Sequence, residues 1–185
     1  MIIGAVALAG MMAPAAAGAV VYTQSQAQTS AGQVFTYTFS GLVTPGAAGS
    51  ITIGGRGDYT LGFPDEEFLT YDVEGLLAGS LAPDNAQSNT NFGFNDNAFQ
   101  STFVLSLAQL QLLTADGSIT ITLDLSNGVN LFDPATASTF VTLDIPAATN
   151  AVPEPATWAM MMLGFGGVGF AMRRKSKVNT RIRFA

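Results

Sequence analysis

The side chains best suited to acid–base chemistry in this 185-residue chain are carboxylates. Two facing carboxylates can act as general acid and general base without a histidine. The candidates that lie closest together in the sequence are Asp65, Glu66, Glu67, Asp72 and Glu74. Asp72 and Glu74 alternate with apolar neighbours, so the solvated face of a strand accounts for them. We therefore predict that the chain is not an enzyme.

The sequence contains no histidine and no cysteine. The absence of histidine removes the commonest general base and the commonest transition-metal ligand. The absence of cysteine removes thiolate metal sites, disulfides and a cysteine nucleophile. Ser-His-Asp and Cys-His mechanisms are thereby excluded.

Oxygen ligands remain, and they suit a hard cation such as Ca²⁺. The acidic candidates in or near predicted turns are Asp58, Asp65, Glu66, Glu67 and Asp96. None of their clusters has the spacing of an EF-hand loop or of a nonapeptide calcium repeat. Solvated acidic turns are the favoured interpretation, so we predict no cofactor and keep calcium as an alternative.

The charges are distributed unevenly along the chain. Of the seven basic residues, only Arg56 lies before the C-terminal tail, whereas twelve of the thirteen acidic residues do. The middle region therefore carries about eleven net negative charges, although the net charge of the whole chain is −6. A region this acidic repels nucleic acid, so we predict no nucleic-acid partner.

The middle region shows strict alternation of apolar and polar residues, which is typical of half-buried strands. The alternating segments are 35–39, 51–53, 69–74, 103–107, 119–125 and 141–145. Turn-forming glycine, proline, asparagine and aspartate residues separate these segments. The pattern predicts an all-β fold, an antiparallel β-sandwich of jelly-roll type, over residues 20–146.

Three local features refine this prediction. Ser106 can cap a short helix over Leu107–Leu113. Asn127-Gly128 is the strongest hairpin signal. The Asn-rich segment from Asn85 to Asn97 is predicted to be a long loop.

Aromatic residues on or near loops provide an alternative functional prediction. An exposed aromatic platform with polar neighbours would suit a carbohydrate-binding module. The candidates are Tyr59, Phe63, Phe92 and Phe94, although burial in the core is the commoner fate of phenylalanine.

The first 19 residues resemble a signal peptide. An apolar run is followed by small residues, and Ala17 and Ala19 both end stretches that fit the A-x-A rule of signal peptidase. The segment lacks the basic residues that usually precede the apolar run. We predict export through the Sec machinery, cleavage near Ala17 or Ala19, and a true start upstream of Met1.

The tail begins after a linker at residues 147–152. Pro153-Glu154-Pro155 is followed by an uncharged run, Ala156 to Met172, and then by a basic cluster. A helix of 17 residues would span about 25 Å, against about 30 Å for the hydrocarbon core of a membrane. Trp158 suits the interface, and the positive-inside rule makes the basic segment, residues 173–185, cytoplasmic. We predict a short transmembrane helix over Ala156–Met172.

The order of these features resembles the PEP-CTERM sorting domain, in the variant written PEPxxWA. The match covers Pro153, Glu154, Pro155 and Trp158, followed by Arg173, Arg174, Lys175 and Lys177. The resemblance implies recognition of the tripeptide by an exosortase, a membrane-embedded protease or transpeptidase of Gram-negative bacteria. It also implies that the helix anchors the substrate transiently in the inner membrane and that the basic cluster stops translocation. The pattern has also been labelled an ice-binding C-terminal domain, which implies nothing about ice for this chain.

The expected function is therefore that of an exported protein of the cell surface or extracellular matrix. The family context implies a structural or adhesive role in biofilm and exopolysaccharide. The alternatives are a carbohydrate-binding module and, less favoured, a hydrolase of matrix polysaccharides.

Overall fold

The computed structural model describes residues 18–61, 66–131, 135–148 and 155–174. The chain divides into two compact units, Met1–Thr149 and Asn150–Ala185. The first contains the strands β1 (Ala19–Ala27), β2 (Val34–Ser40), β3 (Gly49–Asp58), β4 (Leu69–Val73), β5 (Leu77–Leu81), β6 (Ser88–Gly93), β7 (Asp96–Leu105), β8 (Ser118–Leu125) and β9 (Ser138–Pro146), and the helix α1 (Leu107–Leu113). The second contains the helix α2 (Pro155–Arg174).

The strands form two antiparallel sheets. The first sheet has the order β1-β9-β3-β7-β6, and the second has the order β2-β8-β4-β5. Apart from β6, the strands pair in a nested way: first with last, second with second-last, and so on inward to β4 with β5. This is the arrangement of a jelly roll with one additional edge strand, so the predicted all-β fold is confirmed.

The hydrophobic core lies between the sheets because each strand directs alternate side chains inward. Tyr37 and Ile121 from the second sheet and Ile51, Ile53 and Leu143 from the first are fully buried in a single cluster. The Tyr37 hydroxyl is satisfied across the core by the carbonyl oxygen of Thr139, at 2.8 Å. The polar partners of these apolar residues point outward, as the alternation predicted.

The predicted helix is confirmed at the predicted boundaries, and its start is explained by a capping box. The Ser106 hydroxyl accepts a hydrogen bond from the backbone N–H of Gln109, at 3.3 Å. The Gln109 side-chain oxygen accepts one from the backbone N–H of Ser106, at 2.9 Å. Leu110 and Leu113 are buried and attach the helix to the core.

The loop predicted for Asn85–Asn97 is wrong, because this segment forms β6 and the beginning of β7. β6 is the last strand of the first sheet, and its side chains from Ser88 to Phe92 are exposed on both faces. A strand without a buried face shows no alternation of apolar and polar residues, so periodicity could not identify it.

The hairpin predicted at Asn127-Gly128 is also wrong. A tight turn is present there, since the backbone N–H of Val129 donates to the carbonyl of Ser126 at 3.0 Å. However, the strands on either side, β8 and β9, belong to different sheets. A two-residue hairpin turn lies at Phe94-Asn95 instead, where both residues have positive φ and join β6 to β7.

The edge strand β1 also contacts the edge of the second sheet. The side-chain amides of Gln24 and Gln26 donate to the backbone carbonyls of Thr38 and Thr36 in β2, at 2.9 and 2.8 Å. These bonds occupy acceptors that β2 would otherwise present to another strand. They therefore protect an edge that would be open to intermolecular pairing.

Candidate functional site

The sorting tail lies partly within the described residues. Pro153 and Glu154 lie outside them, and α2 begins at Pro155. Proline is favoured at the first helical position because its missing N–H would have no partner there. Pro155 is therefore the first residue of a helix.

The helix α2 is apolar around its whole circumference. Trp158 is 50% exposed, and the large side chains that follow it are also exposed: Met160, Met161, Met162, Leu163, Phe165, Val168, Phe170 and Met172. Arg173 lies in its last turn, where positive charge complements the helix dipole, and the helix ends at Arg174. Lys175 and Lys177 lie outside the described residues.

The structure does not show the predicted transmembrane span. Among the helices of the described residues, none reaches the combination of length and apolar character required to cross a membrane.

One of the two predicted signal-peptidase positions lies at the start of the sandwich. Ala17 is outside the described residues, whereas Ala19 is the first residue of β1 and pairs with Pro146 of β9. The carbonyl of Gly18 accepts a hydrogen bond from the backbone N–H of Ala147, at 3.3 Å. The choice between the two positions therefore decides whether β1 is kept whole.

The calcium candidates each have a different environment. Asp58 lies opposite Asp96 at the ends of β3 and β7. Glu67 is buried and accepts a hydrogen bond from the backbone N–H of Thr60, at 2.6 Å. Glu66 is exposed, and Asp65 lies outside the described residues. Within the described part of the chain, no three acidic side chains converge on a common point.

Two of the carboxylates considered for catalysis, Asp72 and Glu74, accept hydrogen bonds from backbone N–H groups in the second sheet. Asp72 accepts a hydrogen bond from the backbone N–H of Gly75, at 3.0 Å. Glu74 accepts one from the backbone N–H of Thr120, at 2.7 Å. Each is thus engaged by backbone of the strand or turn beside it.

The aromatic candidates separate into core and surface residues. Tyr59 is buried and packs edge-to-face against Phe99, with ring centroids 4.6 Å apart. Burial raises the pKa of the Tyr59 hydroxyl, and the neighbouring charge of Glu67 raises it further. Phe92 is 56% exposed and lies in β6, and Phe94 is 92% exposed and lies in the turn between β6 and β7. Phe63 lies outside the described residues.

Arg56 contacts two side chains, Asp96 and Phe92, on the outer surface next to this turn. Its guanidinium makes two hydrogen bonds to the Asp96 carboxylate, at 3.0 and 2.8 Å. The same guanidinium lies over the Phe92 ring, 4.1 Å from the ring centroid, in a cation–π contact. The sequence shows Arg56 as the one basic residue before the tail, but it did not predict these partners.

The Arg56–Asp96 pair predicts a specific pH dependence of stability. The hydrogen bonds from Arg56 hold the pKa of the Asp96 carboxyl below its usual value, and the charge attraction adds to this. A lowered pKa in the folded state stabilises the fold above the unfolded value of about 3.9, and this contribution is lost as the pH falls through the folded value.

We therefore expect Asp96→Asn to lower the unfolding free energy by about 1 kcal/mol at pH 7 and by nothing measurable near pH 2. Urea denaturation at both pH values measures this difference. Asp84→Asn removes a similar charge from an exposed turn and is the comparison at pH 7, where it should change the unfolding free energy by about 0.5 kcal/mol or less. An Asp96→Asn deficit that is equally large at pH 2 would contradict the ion-pair explanation.

Comparison with protein families gives one match. The model described as PEP-CTERM protein-sorting motif matches residues 151–175. The chain therefore carries this motif where the tripeptide, tryptophan and basic cluster predicted it, which supports an exported surface protein recognised by an exosortase. No curated protein and no solved structure matches the chain.

Proposed function

We propose that the PEP-CTERM sorting motif of this chain routes it through the inner membrane of a Gram-negative bacterium to the cell surface or the extracellular matrix. An exosortase recognises Pro153-Glu154-Pro155 and separates the exported sandwich from the rest of the tail. The observation that carries this proposal is the family match over residues 151–175.

The character of α2 supports a membrane-associated intermediate. A helix that is apolar on every side needs an apolar environment, either a protein core or a lipid phase. Trp158 near its beginning and Arg173 and Arg174 at its end suit the two interfaces of a membrane. In this proposal α2 holds the substrate at the membrane during processing, and the basic cluster, with Lys175 and Lys177, stops translocation.

At the other end of the chain, the Sec machinery and signal peptidase would act first. Cleavage after Ala17 leaves β1 complete, including the residue that pairs with Pro146. Cleavage after Ala19 would remove that residue and the Gly18 carbonyl that binds Ala147. We therefore favour cleavage after Ala17.

The exported sandwich has a structural or adhesive role in exopolysaccharide and biofilm, and it acts without catalysis or a bound cofactor. Two facts support a binding role for the domain. Asp72 and Glu74, two of the carboxylates considered for hydrolysis, accept hydrogen bonds from backbone N–H groups, and exposed aromatic side chains lie at the turn between β6 and β7.

The intact mass of the protein from the secreted fraction of its host tests the routing. We expect a mass that lacks both the N-terminal segment and everything beyond the Pro153-Glu154-Pro155 region. Mass in excess of that polypeptide would indicate a covalent attachment. A protein found only in membranes, with residues 156–185 retained, would overturn the exosortase proposal in favour of a plain C-terminal anchor.

A further inference from the structure

A half-open groove of about 310 Å³ crosses the outer face of the first sheet. Its lining comes from four adjacent strands: Ser88 and Thr90 from β6, Gln100 from β7, Arg56 from β3, and Ser138 and Phe140 from β9. Neighbouring strands lie about 4.8 Å apart, so the groove extends about 14 Å across the strands. Its volume is at the lower end of the range of about 300–1,000 Å³ that is usual for ligand sites.

Phe140 provides the apolar part of the groove, and a glycine beneath it allows its position. Gly54 of β3 lies opposite Phe140 in the strand register. A Cβ atom added at Gly54 would lie 2.7 Å from two carbons of the Phe140 ring. The ring therefore lies close against the sheet, where a side chain at position 54 would displace it.

Polar side chains around this ring differ in their hydrogen bonding from threonine side chains farther along the same face. Farther along the same face, Thr52 bonds to Thr102 at 2.8 Å, and Thr23 bonds to Thr142 at 3.0 Å. The groove side chains of Ser88, Thr90 and Gln100 make no hydrogen bond to any other described residue. Hydroxyl and amide groups beside an aromatic ring are thus left available to a ligand.

The geometry indicates how a ligand would be bound. The backbone groups of β7, β3 and β9 are used in pairing with strands on both sides. A ligand that lies across the strands can therefore add no strand hydrogen bonds, unlike a peptide that extends a sheet edge. Recognition must come from side chains, which suits a polyhydroxylated chain with apolar ring faces.

The charge of the domain indicates whether a neutral or an anionic polysaccharide would bind. The only cation in the groove, Arg56, is already paired with Asp96. The rest of the sandwich is strongly acidic and repels anionic polymers. The groove therefore favours a neutral ligand.

We propose that this groove binds a neutral polysaccharide, with a sugar ring against Phe140 and sugar hydroxyls bonded to Ser88, Thr90 and Gln100. The inference deepens the proposed function and rests on it for the presence of polysaccharide around the exported domain. It differs from the platform predicted at Tyr59, Phe63, Phe92 and Phe94, because its aromatic residue comes from β9.

Binding can be measured with the full chain, purified in a detergent that has no sugar headgroup. The probes in affinity electrophoresis are the neutral polymers hydroxyethyl cellulose, dextran and galactomannan, with alginate as the anionic comparison. We expect retardation by at least one neutral polymer and none by alginate. Phe140→Ala should weaken this binding at least about tenfold.

Phe94→Ala is the matched control, because Phe94 is 92% exposed and does not line the groove. Its binding should equal that of the wild type. Ala98→Trp fills the groove from a partly exposed position and tests the same site if Phe140→Ala does not fold. Circular dichroism checks the fold of each variant.

Three results would overturn the proposal: no retardation by any neutral polymer, stronger retardation by alginate, or folded groove variants that bind like the wild type. The assay uses purified protein and does not depend on export. Normal glycan binding with failed processing would therefore remove only the sorting proposal, and normal processing without binding would remove only the groove.

Discussion

Replacing Pro153-Glu154-Pro155 by three alanines is expected to abolish the mature surface form of the protein. The tripeptide lies within the matched sorting motif, and the proposed exosortase acts on it. Without it, the precursor should stay with the membrane and keep residues 156–185. Immunoblots of the membrane and secreted fractions, together with the intact mass of each species, measure this outcome.

A paired change in the neighbouring linker is the control for this experiment. Thr149→Ala with Asn150→Ala alters the same stretch of chain but leaves the tripeptide intact, and it should be processed as the wild type. If the triple-alanine protein still reached the surface at its normal mature size, the sorting role of the tripeptide would be refuted.

The second large effect is expected from one added methyl group at Gly54. An alanine Cβ there would lie 2.5 Å from the carbonyl oxygen of Phe99 and 2.7 Å from the Phe140 ring. The ring can move, but the carbonyl belongs to the backbone of the neighbouring strand β7. We expect Gly54→Ala to lower the unfolding free energy by about 2–3 kcal/mol, which the urea midpoint will show.

Gly57→Ala provides the comparison on the same strand. A Cβ at Gly57 would meet its nearest neighbours, Gln28 and Tyr59, at 3.4 and 3.5 Å, which is ordinary contact. Its effect should be about 0.5 kcal/mol or less. Equal midpoints for the two variants would show that the close approach at Gly54 does not constrain the fold.

The sequence predicted the strands that have one buried face. Tyr37 of β2 and Ile121 of β8 are neighbours in the register, and both stood out through alternation with threonine. Ser106 and Gln109 predicted the helix α1 because a capping box is a local interaction. Pro153, Glu154, Pro155 and Trp158 predicted the sorting motif because they are close together in the chain.

The edge strand β6 was not predicted, because its stability comes from pairing with β7 and not from a buried face. The groove could not be predicted for a related reason. Arg56 lies opposite Ala98 in one pairing and opposite Ser138 in another, and these residues are far apart in the sequence. Only the registers of three strands bring them together, and no local pattern encodes a register between distant segments.

The nested pairing of the strands also determines how much of the chain must emerge from the membrane before the first sheet can be completed. Within the first sheet β1 pairs only with β9, and β9 also joins β1 to β3. Such pairings between the ends of a chain form late and slowly, because a long loop must close before any contact is gained. A chain that crosses a membrane from its N-terminus therefore cannot complete this sheet until Pro146 has emerged. The topology therefore leaves the first sheet incomplete until β9 has emerged, and β9 is the strand that precedes the sorting signal.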